Sequence, residues 1–170
     1  TWCLVHATHM TKHETEVLAK SQAIVGLCPT TEANLGDGLF NAQDFFDFNG
    51  FFGIGSDSNI TINAFDELKF LEYGQRLILQ KRNILCGKEN NSTGRNLYEL
   101  AAINGGSALR KKTGKIAVGY DADLIVIDNS IPALVSKNED EIIDTLIFSS
   151  NQNSIKDVFV NGKHIIKNKC

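Results

Sequence analysis

The sequence predicts a mixed α/β fold, and three observations carry that expectation. Residues 2–6, 23–28 and 51–55 are short apolar runs that do not alternate with polar residues, the pattern of strands buried on both faces of a parallel sheet. Stretches with helical spacing lie between or after these runs. From about Gly114 the pattern changes to short apolar stretches joined by turn residues, which predicts a β-rich tail.

Each element follows in order. Residues 2–6, WCLVH, read as a buried strand. Thr11-Lys12-His13-Glu14 has the form of a capping box, with Thr11 as N-cap and Glu14 three residues on. A helix to about Ser21 follows, carrying Val17 and Leu18 inward. Residues 23–28 form a second strand, stopped by Pro29. Residues 30–50, rich in Gly, Asn, Asp and Phe, read as one long irregular segment, and loops of that length inside a domain usually serve a function. The third strand, 51–55, runs into Ser56-Asp57-Ser58-Asn59. Residues 64–82 make the strongest helix, with Phe65, Leu68, Leu71, Leu77 and Ile78 as its apolar face. A polar turn at 90–94 leads to a helix over 97–109, interrupted at Gly105-Gly106. In the tail, strands are expected at 116–118, 122–127, 145–148, 157–160 and 164–166, with Asn161-Gly162 as a hairpin turn.

Composition excludes several classes. The 170 residues are 42% apolar, include two prolines and carry a formal charge of −3, which excludes a disordered chain, a collagen-like repeat and a disulfide-rich miniprotein. A slightly acidic balance argues against nucleic-acid or membrane partners, which need a basic surface; Lys111-Lys112 is a solvated pair. Cys3, Cys28, Cys86 and Cys170 are widely spaced with no C-x-x-C pair, as expected of reduced thiols in a cytoplasmic protein. The opening Thr1-Trp2-Cys3-Leu4-Val5 starts inside a strand without an initiator Met, so the chain is expected to be the carboxyl-terminal part of a longer protein.

Chemistry-bearing residues gather where the apolar runs end. The first run ends at His6-Ala7-Thr8-His9, the second leads into Cys28-Pro29-Thr30-Thr31-Glu32-Ala33-Asn34, and the third into Asp57. In parallel α/β barrels, active-site groups sit at the carboxyl ends of strands. A histidine and an aspartate at neighbouring strand ends can share a site, as metal ligands or proton carriers. The alternatives are structural: His6 as a hydrogen-bonded strand-end residue, Asp57 as a turn or helix cap, Glu32 as an ordinary loop carboxylate. His9, His13 and His164 read as structural. Gly36-Asp37-Gly38 lacks the full G-x-G-x-x-G pattern and reads as a turn, and Gly53-x-Gly55 as a place of tight packing.

LVHATH at 4–9, GLCPTTEANLGDG at 26–38, GIGSDSN at 53–59 and GYDADLIVID at 119–128 together resemble the carboxyl-terminal portion of the amidohydrolase superfamily. They occur in the family's order and cover nearly the whole chain. LEYGQR at 71–76 and STGRNLYELAAINGG at 92–106 are similar to its formimidoylglutamate deiminase branch. The resemblance implies that residues 1–112 are strands six to eight of a (β/α)8 TIM barrel and residues 113–170 part of a small β-sandwich. It also implies one zinc, or another divalent metal such as iron, per intact subunit, a small-molecule substrate and a homodimer. Carried over, Asp57 is a metal ligand that also takes a proton from the attacking water, and His6 is the histidine that contacts the substrate. The other metal ligands and the catalytic glutamate belong upstream, in the missing amino-terminal portion of the barrel, so the 170 residues alone are expected to be inactive. Another aminohydrolase of the superfamily, or a non-catalytic complementing module, are the alternatives.

Overall fold

The computed structural model describes residues 2–88, 91–149 and 154–169; Cys170 and the start of the turn at 90–94 lie outside them. Three strands, β1 (Cys3–Val5), β2 (Ile24–Leu27) and β3 (Phe51–Ile54), form one parallel sheet in the order β1-β2-β3. Leu4 pairs with Val25, and Val25 with Phe52, so all three strands end on the same edge. Parallel strands need a crossover between them. The first is the helix α1 (Lys12–Lys20), opened by Thr11 and Glu14 in a reciprocal capping box.

The second crossover differs from the expected irregular segment: it holds two helices, α2 (Pro29–Leu35) and α3 (Ala42–Asp47). Pro29 occupies the first helical turn, where its missing N–H costs nothing, and Gly36 closes α2 in the left-handed conformation at φ 71°. Asp37 and Gly38 then turn the chain toward the buried Phe40, which meets Phe45 edge-on at 5.2 Å. Phe46 stacks on Phe52 of β3 at 4.9 Å. The phenylalanines that made this stretch look irregular are its core contacts.

Two long helices follow, α4 (Ala64–Leu79) and α5 (Thr93–Ala108). Leu68 and Leu71 are buried, whereas Leu77 and Ile78, expected on the same face, are exposed, as is Val17 of α1. The inward stripe of α4 instead includes Glu67, Glu72 and Gln75, all buried. Glu72 accepts hydrogen bonds from Arg76 Nε and the N–H groups of Ile84 and Leu85, anchoring the segment that follows the helix. Helix α5 is continuous through Gly105-Gly106. Those glycines permit close approach: a Cβ built on Gly53 of β3 would lie 3.2 Å from Gly105 Cα.

The tail forms a second, antiparallel sheet from β4 (Leu124–Ile127), β5 (Ile155–Val160) and β6 (Lys163–Ile166), in the order β4-β5-β6. Asn161 and Gly162 both have positive φ, 48° and 73°, the geometry of the tight hairpin turn they predict. Two tail expectations fail. Residues 116–118 are not a strand; Ile116 and Val118 stand in solvent, in a stretch bounded by Gly114 and Gly119 at positive φ. Residues 145–148 belong to the helix α6 (Glu139–Phe148), opened by a capping box between Asn138 and Glu141. Its apolar residues, Ile142, Ile143, Leu146 and Ile147, follow helical spacing once the whole segment is read. Among the described residues no helix is long and apolar enough to cross a membrane.

Candidate functional site at the strand ends

The carboxyl edge of the parallel sheet brings His6, Cys28 and Asp57 together. Each stands just past the end of a different strand. Both His6 and Asp57 have left-handed backbone, at φ 67° and 48°, so the chain turns sharply where β1 and β3 finish. The turn after β1 is closed by the Ala7 N–H donating to Val5 O at 2.9 Å, while the His6 N–H still donates to Gly26 O at 2.8 Å. His6 therefore remains tied to β2 while its side chain turns over the sheet edge.

The ring lies between two carboxylates. His6 Nδ1 is 3.2 Å from Glu32 Oε1, and His6 Nε2 is 3.5 Å from Asp57 Oδ2. The two acids differ in setting. Glu32 is buried in α2, its Oε1 also accepting the Cys28 N–H at 2.9 Å, whereas the Asp57 side chain is 44% exposed. The sequence alone offered Glu32 as an ordinary loop carboxylate. It is instead a buried helical residue directly bonded to the histidine. The only signal for this was the four-residue step from Cys28 to Glu32, which one helical turn converts into contact.

One ligand atom from each of His6, Cys28 and Asp57 lies within 4.8 Å of the other two. This tests the fit of a divalent ion. Asp57 supplies a partly exposed carboxylate and His6 an imidazole, both ordinary ligands for such an ion. Cys28 is the least ready of the three: without an ion, burial, reinforced by Glu32 and Asp57, pushes its thiol up to about 11, and the thiolate is the ligating form. The residues present thus fit a divalent ion as part of a ligand shell, with Asp57 in contact and His6 beside it. His9 is exposed and stands apart, near Gly38. His13 sits in the first turn of α1, and His164 stacks on Phe159 and pairs with Asp157 far along the chain.

The base of the site is tied down by polar contacts. Thr31 Oγ1 donates to Ser56 O at 2.7 Å, and Asn59 Nδ2 donates to Thr30 O at 3.2 Å, locking α2 to the segment that carries Asp57. Beneath them the Thr30 N–H and hydroxyl both donate to the buried Glu67 of α4; burial holds the Glu67 carboxyl above its ordinary range. A cleft of about 470 Å³ opens alongside, lined by Thr30, Ala33, Asn34, Asn59, Thr61, Asp66 and Phe70. A larger hollow, about 530 Å³, lies at Arg95, Glu139 and Asp140. There the Arg95 guanidinium is already bonded to Glu99 and Asp140, so the strand ends, with converging unlike groups, are the better candidate.

Residues 1–165 match the Amidohydrolase family. The chain is 44% identical over 166 residues to the formimidoylglutamate deiminase of Pseudomonas aeruginosa, which accounts for 98% of this chain and 37% of that protein. It is 30% identical over 161 residues to a 5-methylthioadenosine/S-adenosylhomocysteine deaminase of Pyrococcus horikoshii, covering 95% of this chain and 37% of the relative. Among solved structures, an amidohydrolase from Brucella melitensis superposes with a TM-score of 0.88 at 44% identity, over 99% of this chain and 37% of that one. An adenosine deaminase from Xanthomonas campestris with bound zinc superposes at 0.85 with 22% identity, over 98% and 37%, a likeness of fold. The chain thus spans about 37% of the length of these relatives.

Proposed function

The chain belongs to the amidohydrolase family, and from that premise we propose that it is the part of a formimidoylglutamate deiminase that carries His6 and Asp57. In this reading residues 1–112 contribute strands six to eight of a (β/α)8 barrel, and residues 113–170 part of a composite β-sandwich. The intact enzyme works in the cytoplasm as a homodimer, in histidine degradation. The 44% identity to the Pseudomonas aeruginosa deiminase over 98% of the chain supports the substrate. The observation that carries the site is the convergence of His6 and Asp57 from two strand ends to 3.5 Å.

The reaction is hydrolysis of N-formimino-L-glutamate to N-formyl-L-glutamate and ammonia. A water oxygen bonds to the formimino carbon, the bond from that carbon to its terminal nitrogen breaks, and the nitrogen leaves as ammonia with the protons water supplies. Asp57 would hold a divalent ion, zinc or iron, with ligands from the rest of the barrel. When bound, such an ion polarises the substrate and lowers the pKa of water toward ~7. Asp57 takes the proton of the attacking water on its carboxylate. His6 approaches the substrate through Nε2 and stabilises charge that develops at the C=N centre. Ammonia release from N-formimino-L-glutamate by the intact protein tests the reading; release from 5-methylthioadenosine instead would favour the deaminase alternative, which the 30% identity to the Pyrococcus horikoshii enzyme keeps in view. Absence of both would leave the complementing-module alternative.

A further inference from the structure

We propose that Glu32 is a positioning residue for His6: it fixes the imidazole with Nδ1 protonated, so that Nε2 is the atom presented toward Asp57 and the substrate. This rests on the reading of His6 as the residue that contacts the substrate.

The geometry supports it at three points. Glu32 is buried, at 4% exposure, and its Oε1 is 3.2 Å from His6 Nδ1. A carboxylate can only accept, so the ring nitrogen facing it is a donor. The same Oε1 accepts the Cys28 N–H at 2.9 Å, and Cys28 is the residue with which β2 ends and α2 begins. The acceptor is thus held from the scaffold, and the ring is held by the acceptor. Finally, His6 sits on left-handed backbone directly after β1, where sheet pairing alone leaves the ring direction undetermined. A histidine that works through one nitrogen needs the other occupied, because the bond made by the second nitrogen decides which carries the proton. Glu32 does not need to touch the substrate for this.

The shared acceptor makes a distinctive prediction about substitutions. In Glu32→Gln the Cys28 N–H must still find an acceptor, so the amide turns its carbonyl oxygen to that position and its NH2 away. The same oxygen then still faces His6 Nδ1. Glu32→Gln should therefore keep most of the turnover, whereas Glu32→Leu should lose roughly 10–100-fold in kcat, as removal of outer supporting partners does. KM should hardly move in either, since the loss is in orientation. In the His6→Ala background, Glu32→Leu should cost nothing further in kcat, because a residue acting only through His6 has no partner left.

The experiment uses the intact enzyme, with ammonia release from N-formimino-L-glutamate for the four variants, and 15N-histidine NMR of the wild type and Glu32→Gln, His6 being assigned by its disappearance in His6→Ala. Protonated Nδ1 on His6 in both proteins is expected. A neutral His6 protonated at Nε2 in the wild type would overturn the proposal without any substrate. So would a Glu32→Gln enzyme as slow as Glu32→Leu, a rise in KM rather than a fall in kcat, or a double variant slower than His6→Ala by the full Glu32→Leu factor. Should Glu32→Leu fail to fold for want of an acceptor at the Cys28 N–H, the NMR spectra and Glu32→Gln kinetics decide the matter. A wild type inactive on N-formimino-L-glutamate but with Nδ1-protonated His6 would sink the substrate reading and leave this one standing.

Discussion

Thr30→Val tests how the floor of the site is held. Thr30 gives two hydrogen bonds to the buried Glu67, one from its N–H at 2.9 Å and one from its hydroxyl. Valine keeps the first, removes the second and refills the volume of the hydroxyl with a methyl, so no cavity term enters. A hydrogen bond to a charged group is worth ~1.5–3 kcal/mol net, and the intact protein should lose about that much near neutral pH. The pH dependence follows from the direction of the Glu67 shift. Burial raises its pKa in the folded state, while the Thr30 donors lower it. A raised carboxyl binds more protons folded than unfolded, so stability falls as pH rises from the unfolded value of ~4.3 through the folded value. Removing a lowering donor raises the folded value further. The deficit of Thr30→Val should therefore be larger at about pH 8 than at about pH 3, well below the unfolded value, where Glu67 is neutral in both states and an uncharged bond of ~1 kcal/mol is at stake. Urea denaturation of the two proteins across this range measures it. An equal deficit at both ends would show that the hydroxyl does not stabilise the charged form of Glu67 and would refute the reasoning.

In the intact protein, Asp57→Asn should lose bound divalent metal by elemental analysis, whereas His6→Ala should retain the metal and lose turnover by ~10²–10⁴-fold, the range for a positioned proton-handling group. Gly53→Ala should destabilise by ~1–3 kcal/mol, because its methyl would sit 3.2 Å from Gly105 Cα. Gly105→Ala meets nothing within 4 Å and should be neutral or stabilising by up to ~1 kcal/mol through helix propensity; thermal melts separate the two. The 170-residue chain alone should release no detectable ammonia from N-formimino-L-glutamate, since Asp57 and His6 fall short of the roughly three protein ligands that a catalytic ion needs.

What the sequence made legible followed from continuous patterns. The three apolar runs are the three parallel strands, in order and nearly to the residue, because apolar runs without polar alternation suit a parallel sheet; the burial expected of them holds for β2 and most of β3, whereas β1, at the free edge of the sheet order, is exposed from Cys3 to Val5. The capping box at Thr11 and the Asn161-Gly162 turn are local devices that need no tertiary context. Several of the failures share a cause: long-range packing chose among locally ambiguous patterns. Phe40, Phe45 and Phe46 looked like loop residues, but Phe46 stacks on Phe52 of β3 and Phe45 packs between Phe40 and Phe46. Residues 145–148 are apolar enough for a strand, and only their continuation from Asn138 makes them a helix. Glu67, Glu72 and Gln75 did not figure in the apolar face read from the sequence of α4. They are buried because each meets donors or acceptors from other segments, Thr30, Leu85 and Phe40 O among them, which no window along one helix contains. Glu32 was obscured in the same way, since its partner His6 lies 26 residues earlier.

The backbone at the strand ends supplies the last step. Several non-glycine residues with positive φ, such as Gln22, Gln80 and Asn161, sit at helix ends or in the hairpin turn, where such angles close an element. His6, Ala7 and Asp57 do not: they follow parallel strands, at φ 67°, 51° and 48°. Left-handed backbone costs a non-glycine residue on the order of 1–3 kcal/mol, less for Asp and His than for Ala, and glycine would adopt it freely. A glycine at either site would relieve the strain but would have no side chain to turn over the sheet edge. An extended residue at position 6 would instead carry its side chain to one face of the sheet in the alternation of β1. The left-handed turn is what lets an imidazole from β1 and a carboxylate from beyond β3 meet across β2 at 3.5 Å, although a whole strand lies between their own. The strain at His6 and Asp57 is therefore coupled to their contact, and Glu32 and Thr31, by tying α2 to His6 and to Ser56 O, hold both turns in the conformation that contact requires.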